Sequence, residues 1–183
     1  MYFVISGPSA SGKSTVVRHL KQSDLALHFP VSATDRSQRE EDINGVTYWF
    51  FTKEEFDELI KACAFLEYVH LEHTYGTLWE EIEKAKDYDM LLELDVQGAL
   101  RIREMYPESS VLIFITPPSL GELRRRLIAR NDGMDVVEQE KRLERALREM
   151  AFIQEYDYVV VNDNLEKCEE DVYNIIIQYL RKL

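Results

Sequence analysis

The chain has 183 residues, 45% hydrophobic and 31% charged, enough for one α/β domain with its own core and no need of disulfides or structural metal. Its formal net charge is −12, so its average field repels nucleic acid and anionic lipid. No apolar run approaches the roughly twenty residues that span a bilayer, and an N-terminus reading MYFVIS without a basic leader region makes the cytoplasm the expected compartment.

Hydrophobic periodicity predicts alternating elements along the chain. Residues 2–6 read as a buried strand, followed by a helix from Lys13 to about Lys21 with Val16, Val17 and Leu20 on one face. Val46 to Phe51 and Leu66 to Leu71 read as short strands around the helix TKEEFDELIKAC, which Thr52 and Glu55 open as a capping box. In the aromatic run 48–51, all but Tyr48 are expected in a core. A helix from Leu78 to about Lys86 leads into the strand DMLLELD and the helix VQGALRIREMY. The strand SVLIFIT precedes a helix opened by a second capping box, Ser119 with Glu122. A charged helix from about Asp135, the strand YVVVND and an amphipathic helix bearing Val172, Ile175, Ile176, Tyr179 and Leu180 close the chain.

Continuous apolar strands between helices predict a doubly wound parallel α/β sheet over 1–31, 78–125 and 146–183. A polar, β-rich insertion at 32–77 and an arginine-rich segment at 126–145 interrupt it. Cys63 and Cys168 make no C-x-x-C pair and read as partly buried small hydrophobes. His19, His28, His70 and His73 show no metal-binding spacing and read as structural or exposed.

Two of only seven glycines, Gly7 and Gly12, lead up to a lysine in GPSASGKS, residues 7–14, between a buried strand and a helix. The pattern G-x-x-x-x-G-K-S/T fits a phosphate-wrapping loop. Glycine lets successive N–H groups turn inward toward phosphate oxygens, and the helix N-terminus adds the positive end of its dipole. Gly7, Pro8, Ser9, Ala10, Ser11, Gly12, Lys13, Ser14 and Thr15 form this candidate loop. Lys13 would bridge β- and γ-phosphates and the Ser14 hydroxyl would hold Mg²⁺. Arg36 and Arg39, three apart and followed by Tyr48, suit a phosphate monoester gripped on several oxygens. They also fit a solvated loop in which Glu40, Glu41 and Asp42 pair with them.

With Ser32, Thr34, Arg36, Arg39, Gly45, Tyr48 and Phe50 in one segment, then FLEYVHLEHTYGT, LLELDVQG, TPPS, RLIAR, EKRL and VVND in order, the chain resembles the guanylate kinases. The resemblance implies a P-loop nucleoside monophosphate kinase in which residues 32–77 bind GMP and 126–145 form a helical lid. It implies ATP-dependent phosphorylation of GMP with Mg²⁺, closure bringing the two nucleotides' phosphates into line. Arg36, Arg39, Tyr48 and Tyr75 would hold the GMP phosphate. Ser32, Glu67 and Thr77 would read guanine, whose N1–H and 2-amino group form a donor pair that a carboxylate accepts and adenine lacks. Arg130 and Arg142, with Arg126 beside them, would stabilise the migrating phosphoryl group, and Asn162 would touch the adenine of ATP.

The chain departs from the family pattern at several positions. Asp35 stands where the family has threonine, and Glu41 and Asp42 where it has glycine and glutamate. The added negative charge would weaken GMP binding. Glu93 replaces the first aspartate of an L-D-x-D segment whose second is Asp95; either acid fits a water on magnesium or the guanine edge. No general base is required, because the acceptor phosphate is already an anion. The expected partners are ATP and GMP, with neither nucleic acid nor membrane, for a monomer or weak homo-oligomer. The rival readings are a kinase of another phosphorylated small molecule, such as a ribose bisphosphate, and a non-catalytic phosphopeptide-binding module, which predicts a degraded glycine loop.

Overall fold

The computed structural model describes residues 1–129 and 136–180. Residues Met1–Ala26 with Leu92–Leu183 pack as one unit and Leu27–Leu91 as another.

In the first unit the apolar run Tyr2–Ser6 is β1, and the glycine loop hands it to α1, Lys13–Lys21. The end of β7 (Asp89–Glu93), β1, β8 (Ser110–Thr116) and β9 (Tyr158–Val161) lie side by side in that order. β8 runs parallel to both β1 and β9, and its seven residues are all buried. A strand covered on both faces needs no polar alternation, which is why SVLIFIT is continuous. Helix α4 (Val96–Met105) packs on β1 and β8, while α7 (Leu165–Leu180) packs on α1 and β9. The α7 stripe is buried at Cys168, Val172, Ile175 and Ile176. α5 (Leu120–Ala129) and α6 (Val136–Met150) share a small core of Leu123, Leu127 and Ala146, against which Ala10 of the glycine loop packs. Because the chain leaves β1 to both sides, the carboxyl end of β1 lies at the topological switch of the sheet, where open α/β sheets bind ligands.

Ser119 caps α5 through its Oγ, which accepts from Glu122 N at 3.1 Å. The reciprocal half of the expected box is replaced: the Glu122 carboxylate binds Arg125 and Arg126, which hold its pKa down at about 2.

In the second unit β4 (Trp49–Phe50), β3 (Ala33–Thr34), β6 (Thr74–Leu78) and β5 (Phe65–His70) form a four-stranded sheet, and β2 (Leu27–His28) pairs with the start of β7. The unit extends on both sides of the 32–77 segment and includes α3, Trp79–Glu83. The strand expected over 46–51 is only two residues long, since residues 44–47 turn through Gly45. Its alternation is nevertheless clear. Trp49 and Phe51 pack on the core of Ala33, Phe56, Phe65 and Leu78, while Tyr48 and Phe50 face the Arg36 guanidinium. Phe50 thus leaves the core expected of it.

Helix α2, Lys53–Lys61, starts in a complete capping box at Thr52 and Glu55. At its other end Ala64 N donates to Leu59 O and Cys63 N to Ile60 O, so Cys63 occupies the left-handed position of a Schellman turn with φ 53°. Cys63 is therefore exposed rather than partly buried; only Cys168 meets the expectation of burial. Left-handed backbone costs a residue with a Cβ about 1–2 kcal/mol, and the freedom glycine adds to the unfolded chain offsets about 0.4–1 of that. Cys63→Gly is therefore expected to raise stability by just under about 1 kcal/mol, read as a higher urea midpoint at unchanged slope.

Candidate functional site

In the first unit the glycine loop turns left-handed at Gly7 (φ 143°), Ala10 (φ 64°) and Gly12 (φ 101°), which aims its N–H groups into one concavity. Both glycines are required by space as well as by φ. A Cβ on Gly7 would lie 2.0 Å from Ile115 O, a backbone atom that cannot yield, and one on Gly12 would lie 2.1 Å from Asn162 Nδ2. α1 begins at Gly12 with no side-chain cap and no acid in its first turn, leaving its N-terminal donors and dipole for an anion. Lys13 Nζ donates to Gly7 O at 2.6 Å and Pro8 O at 3.0 Å, so the ammonium sits over the loop.

Ser14 Oγ donates to Glu93 Oε1 at 2.8 Å. A hydroxyl and a carboxylate oxygen at that separation form a hard-oxygen donor set suited to Mg²⁺ and its waters. Asp95 instead caps α4, accepting from Gly98 N at 2.9 Å, with Arg145 Nη2 3.8 Å from its other oxygen. Asn162 is buried at the end of β9 and its Nδ2 donates to Ser11 O at 2.8 Å, which ties its amide to the backbone of the loop. Arg126 donates to Glu122 Oε1 at 2.7 Å and to Asn162 O at 2.9 Å. Arg142 is half-buried on α6, and Arg130 lies outside the described residues.

In the second unit Arg36 is 9% exposed. Its Nη1 donates to Asp42 Oδ2 and to Ser37 O, both at 2.8 Å, and its guanidinium lies 5.5 Å from the Tyr48 ring and 5.3 Å from that of Phe50. The bond from Asp42 raises the Arg36 pKa, and that from Arg36 lowers the Asp42 pKa. Asp42 also accepts from Arg39 N, so one carboxylate shapes the loop between the two arginines. Of the pairings the sequence left open, Arg36 has the acidic partner; the exposed Arg39 guanidinium has none among the described residues. Tyr75 and Tyr48 meet edge to face at 5.9 Å.

Strand register gathers a second group. Glu67 on β5 is paired with Thr77 on β6, and Ala33 on β3 with Gly76, so Ser32 comes one step back opposite Thr77. Directly paired antiparallel residues put their side chains on one face, which lines up Ser32, Thr77 and Glu67 across three strands. Glu67 and Thr77 are buried, at 5% and 1% exposure. Residue spacing alone missed two of the partnerships that hold these groups, Thr74 against Asp35 and Ser11 against Asn162. The one local signal was that Thr74 and Asp35 each directly precede a proposed phosphate ligand, Tyr75 and Arg36.

A parallel strand feeding a left-handed glycine loop, with lysine and serine opening the next helix, defines a P-loop nucleotide-binding protein. A sequence model described as guanylate kinase matches residues 2–179. A guanylate kinase of Streptococcus mutans is 43% identical over 181 residues, covering 96% of this chain and 85% of that protein. One from Porphyromonas gingivalis is 40% identical, covering 98% and 97%. The crystal structure of guanylate kinase from Anaplasma phagocytophilum superposes with a TM-score of 0.76 at 30% identity, covering 98% of this chain and 85% of that one. The chain belongs to the guanylate kinase family.

Proposed function

We infer that the protein transfers the γ-phosphoryl group of ATP to GMP, giving ADP and GDP, within purine nucleotide metabolism. The observation that carries this reading is the intact glycine loop with Lys13 over it, in a chain matched to the family along nearly its whole length. The interaction-module alternative predicts a degraded loop. The row of Ser32, Thr77 and Glu67 suits a guanine edge and has no use in a sugar-phosphate kinase.

The loop amides and Lys13 hold the donor phosphates. Ser14, with Glu93 on its hydroxyl, would hold Mg²⁺, which when bound would supply charge neutralisation for the donor phosphates. Arg36, Arg39, Tyr48 and Tyr75 hold the acceptor phosphate. Arg126 and Asn162 are assigned to the migrating phosphoryl group and to the adenine of ATP, and the bonds of Arg126 to Glu122 and Asn162, and of Asn162 to Ser11, hold both residues beside the loop. Arg142 and Arg130 are the groups assigned to the migrating phosphoryl. Catalysis is positioning and charge neutralisation, and no proton need be abstracted from the acceptor. The cytoplasm, with its nucleotide pools, is the compartment this activity implies.

A coupled assay of ADP release with GMP, AMP and ribose phosphate acceptors, with and without chelator, tests the reading. GMP is expected to exceed AMP by 10³-fold or more, about what a buried polar site achieves against a mismatched edge, and chelation should abolish turnover. Equal use of AMP would overturn the acceptor assignment.

A further inference from the structure

We propose that Asp35 is a positioning residue whose carboxylate, bound to both donors of Thr74, sets the aim of Arg36 and Tyr75 on the acceptor phosphate. The proposal rests on the reading of Arg36 and Tyr75 as that grip. Asp35 directly precedes Arg36, and Thr74 directly precedes Tyr75. The β3–β6 ladder ends at the pair Thr34 and Tyr75. One step beyond, Asp35 N still donates to Thr74 O at 3.2 Å, yet Thr74 N donates to the Asp35 side chain, Oδ1 at 2.7 Å. The carboxylate has taken the place of a backbone acceptor. That releases the main chain to leave the sheet at Arg36 without orphaning a buried N–H.

Three further bonds fix the junction. Thr74 Oγ1 donates to Asp35 Oδ2 at 2.8 Å, so the carboxylate is held at both oxygens. Thr34 Oγ1 donates to Thr74 O at 2.9 Å and accepts from Arg36 N at 3.2 Å, which ties the Arg36 backbone to the same threonine. His70 Nδ1 lies 3.1 Å from Thr74 Oγ1 and His73 Nδ1 lies 3.6 Å from Asp35 Oδ1. Thr34 and Thr74 are buried and the Asp35 side chain is 11% exposed, so water competes poorly for these bonds. The aspartate that looked from sequence like a surplus negative charge beside the phosphate is engaged by donors from the opposite strand.

Steady-state constants for GMP and ATP, measured on the full chain for Asp35→Ala, Asp35→Asn and Thr74→Val, test the clamp. Arg36→Ala and Tyr75→Phe run alongside. Asp35→Ala is expected to raise KM for GMP about tenfold, the effect of a lost charge-assisted bond, with KM for ATP within about twofold. Asparagine keeps an acceptor for Thr74 N and offers a donor to Oγ1, so Asp35→Asn should lie within about twofold of the parent. Thr74→Val, which removes only the hydroxyl, should fall between and serves if Asp35→Ala does not fold. A folded Asp35→Ala or Thr74→Val with the parent's KM for GMP overturns the proposal. So does Asp35→Asn as impaired as Asp35→Ala, because charge rather than geometry would then be what matters. If Arg36→Ala and Tyr75→Phe also bind GMP normally, it is the phosphate grip itself that fails.

Discussion

Replacing Lys13 with alanine is expected to lower kcat by roughly 10²- to 10³-fold, the loss found when one preorganised donor is withdrawn from a developing charge. KM for GMP should stay within a few-fold of the parent, because the monophosphate is assigned to residues 32–77. The ammonium also bridges Gly7 O and Pro8 O, so its removal relaxes the loop. That second effect is small in stability, since the loop is held independently by the Asn162 amide on Ser11 O and by the Ser11 N bond to Pro8 O. A thermal melt separates the two: a shift of a degree or two with a collapsed kcat places the defect in chemistry. Lys13→Arg should not rescue, because a bulky planar fork cannot occupy the site of a compact ammonium folded over two carbonyls. Unchanged turnover in Lys13→Ala would remove the glycine loop from catalysis and revive the binding-module reading.

Which features could be read in advance follows from the range of the interactions that make them. The glycine loop is local: its left-handed turns and bare helix start all fall within residues 7–14. The Thr52–Glu55 box is local as well, and both its bonds form. The Ser119–Glu122 box fails in one half because Arg125 and Arg126, one turn on, compete for the same carboxylate. The insertion at 32–77 read as β-rich, but two-residue strands such as β3 and β4 are too short to carry a period, so the grouping of Ser32, Thr77 and Glu67 was legible only through resemblance. The supports are less visible still. Asp35 and Thr74 are 39 positions apart, and Asn162 and Ser11 are 151 apart; neither pair has a spacing that marks it. Cys63 misled for a different reason: a small apolar residue suggests burial, but here a helix end required a left-handed backbone whatever the side chain.

Removing the Arg36 side chain is expected to raise KM for GMP by about 10- to 100-fold, since a charge-assisted bond to an anion contributes about 1.5–3 kcal/mol. ATP binding should be unaffected. Arg36→Ala also strips Asp42 of its partner while leaving that carboxylate, 9% exposed, bound to Arg39 N. An enclosed charge without its counter-ion destabilises the loop, so stability and affinity fall together in the single variant. The double variant Arg36→Ala/Asp42→Ala pulls them apart: it should recover the melting temperature but not GMP affinity. Acid titration gives an independent check on the pair. The pKa of Asp42 is lowered in the fold, first by its bond to Arg36, so the stability it contributes is complete above the ordinary carboxylate value of 3.8 and disappears as pH falls through the lower folded value. The stability gap between the parent and Asp42→Ala should therefore be constant at neutral pH and close only below about pH 3.8. Recovery of GMP affinity in the double variant would mean that Arg36 serves only to neutralise Asp42, and the acceptor phosphate would then need another cation.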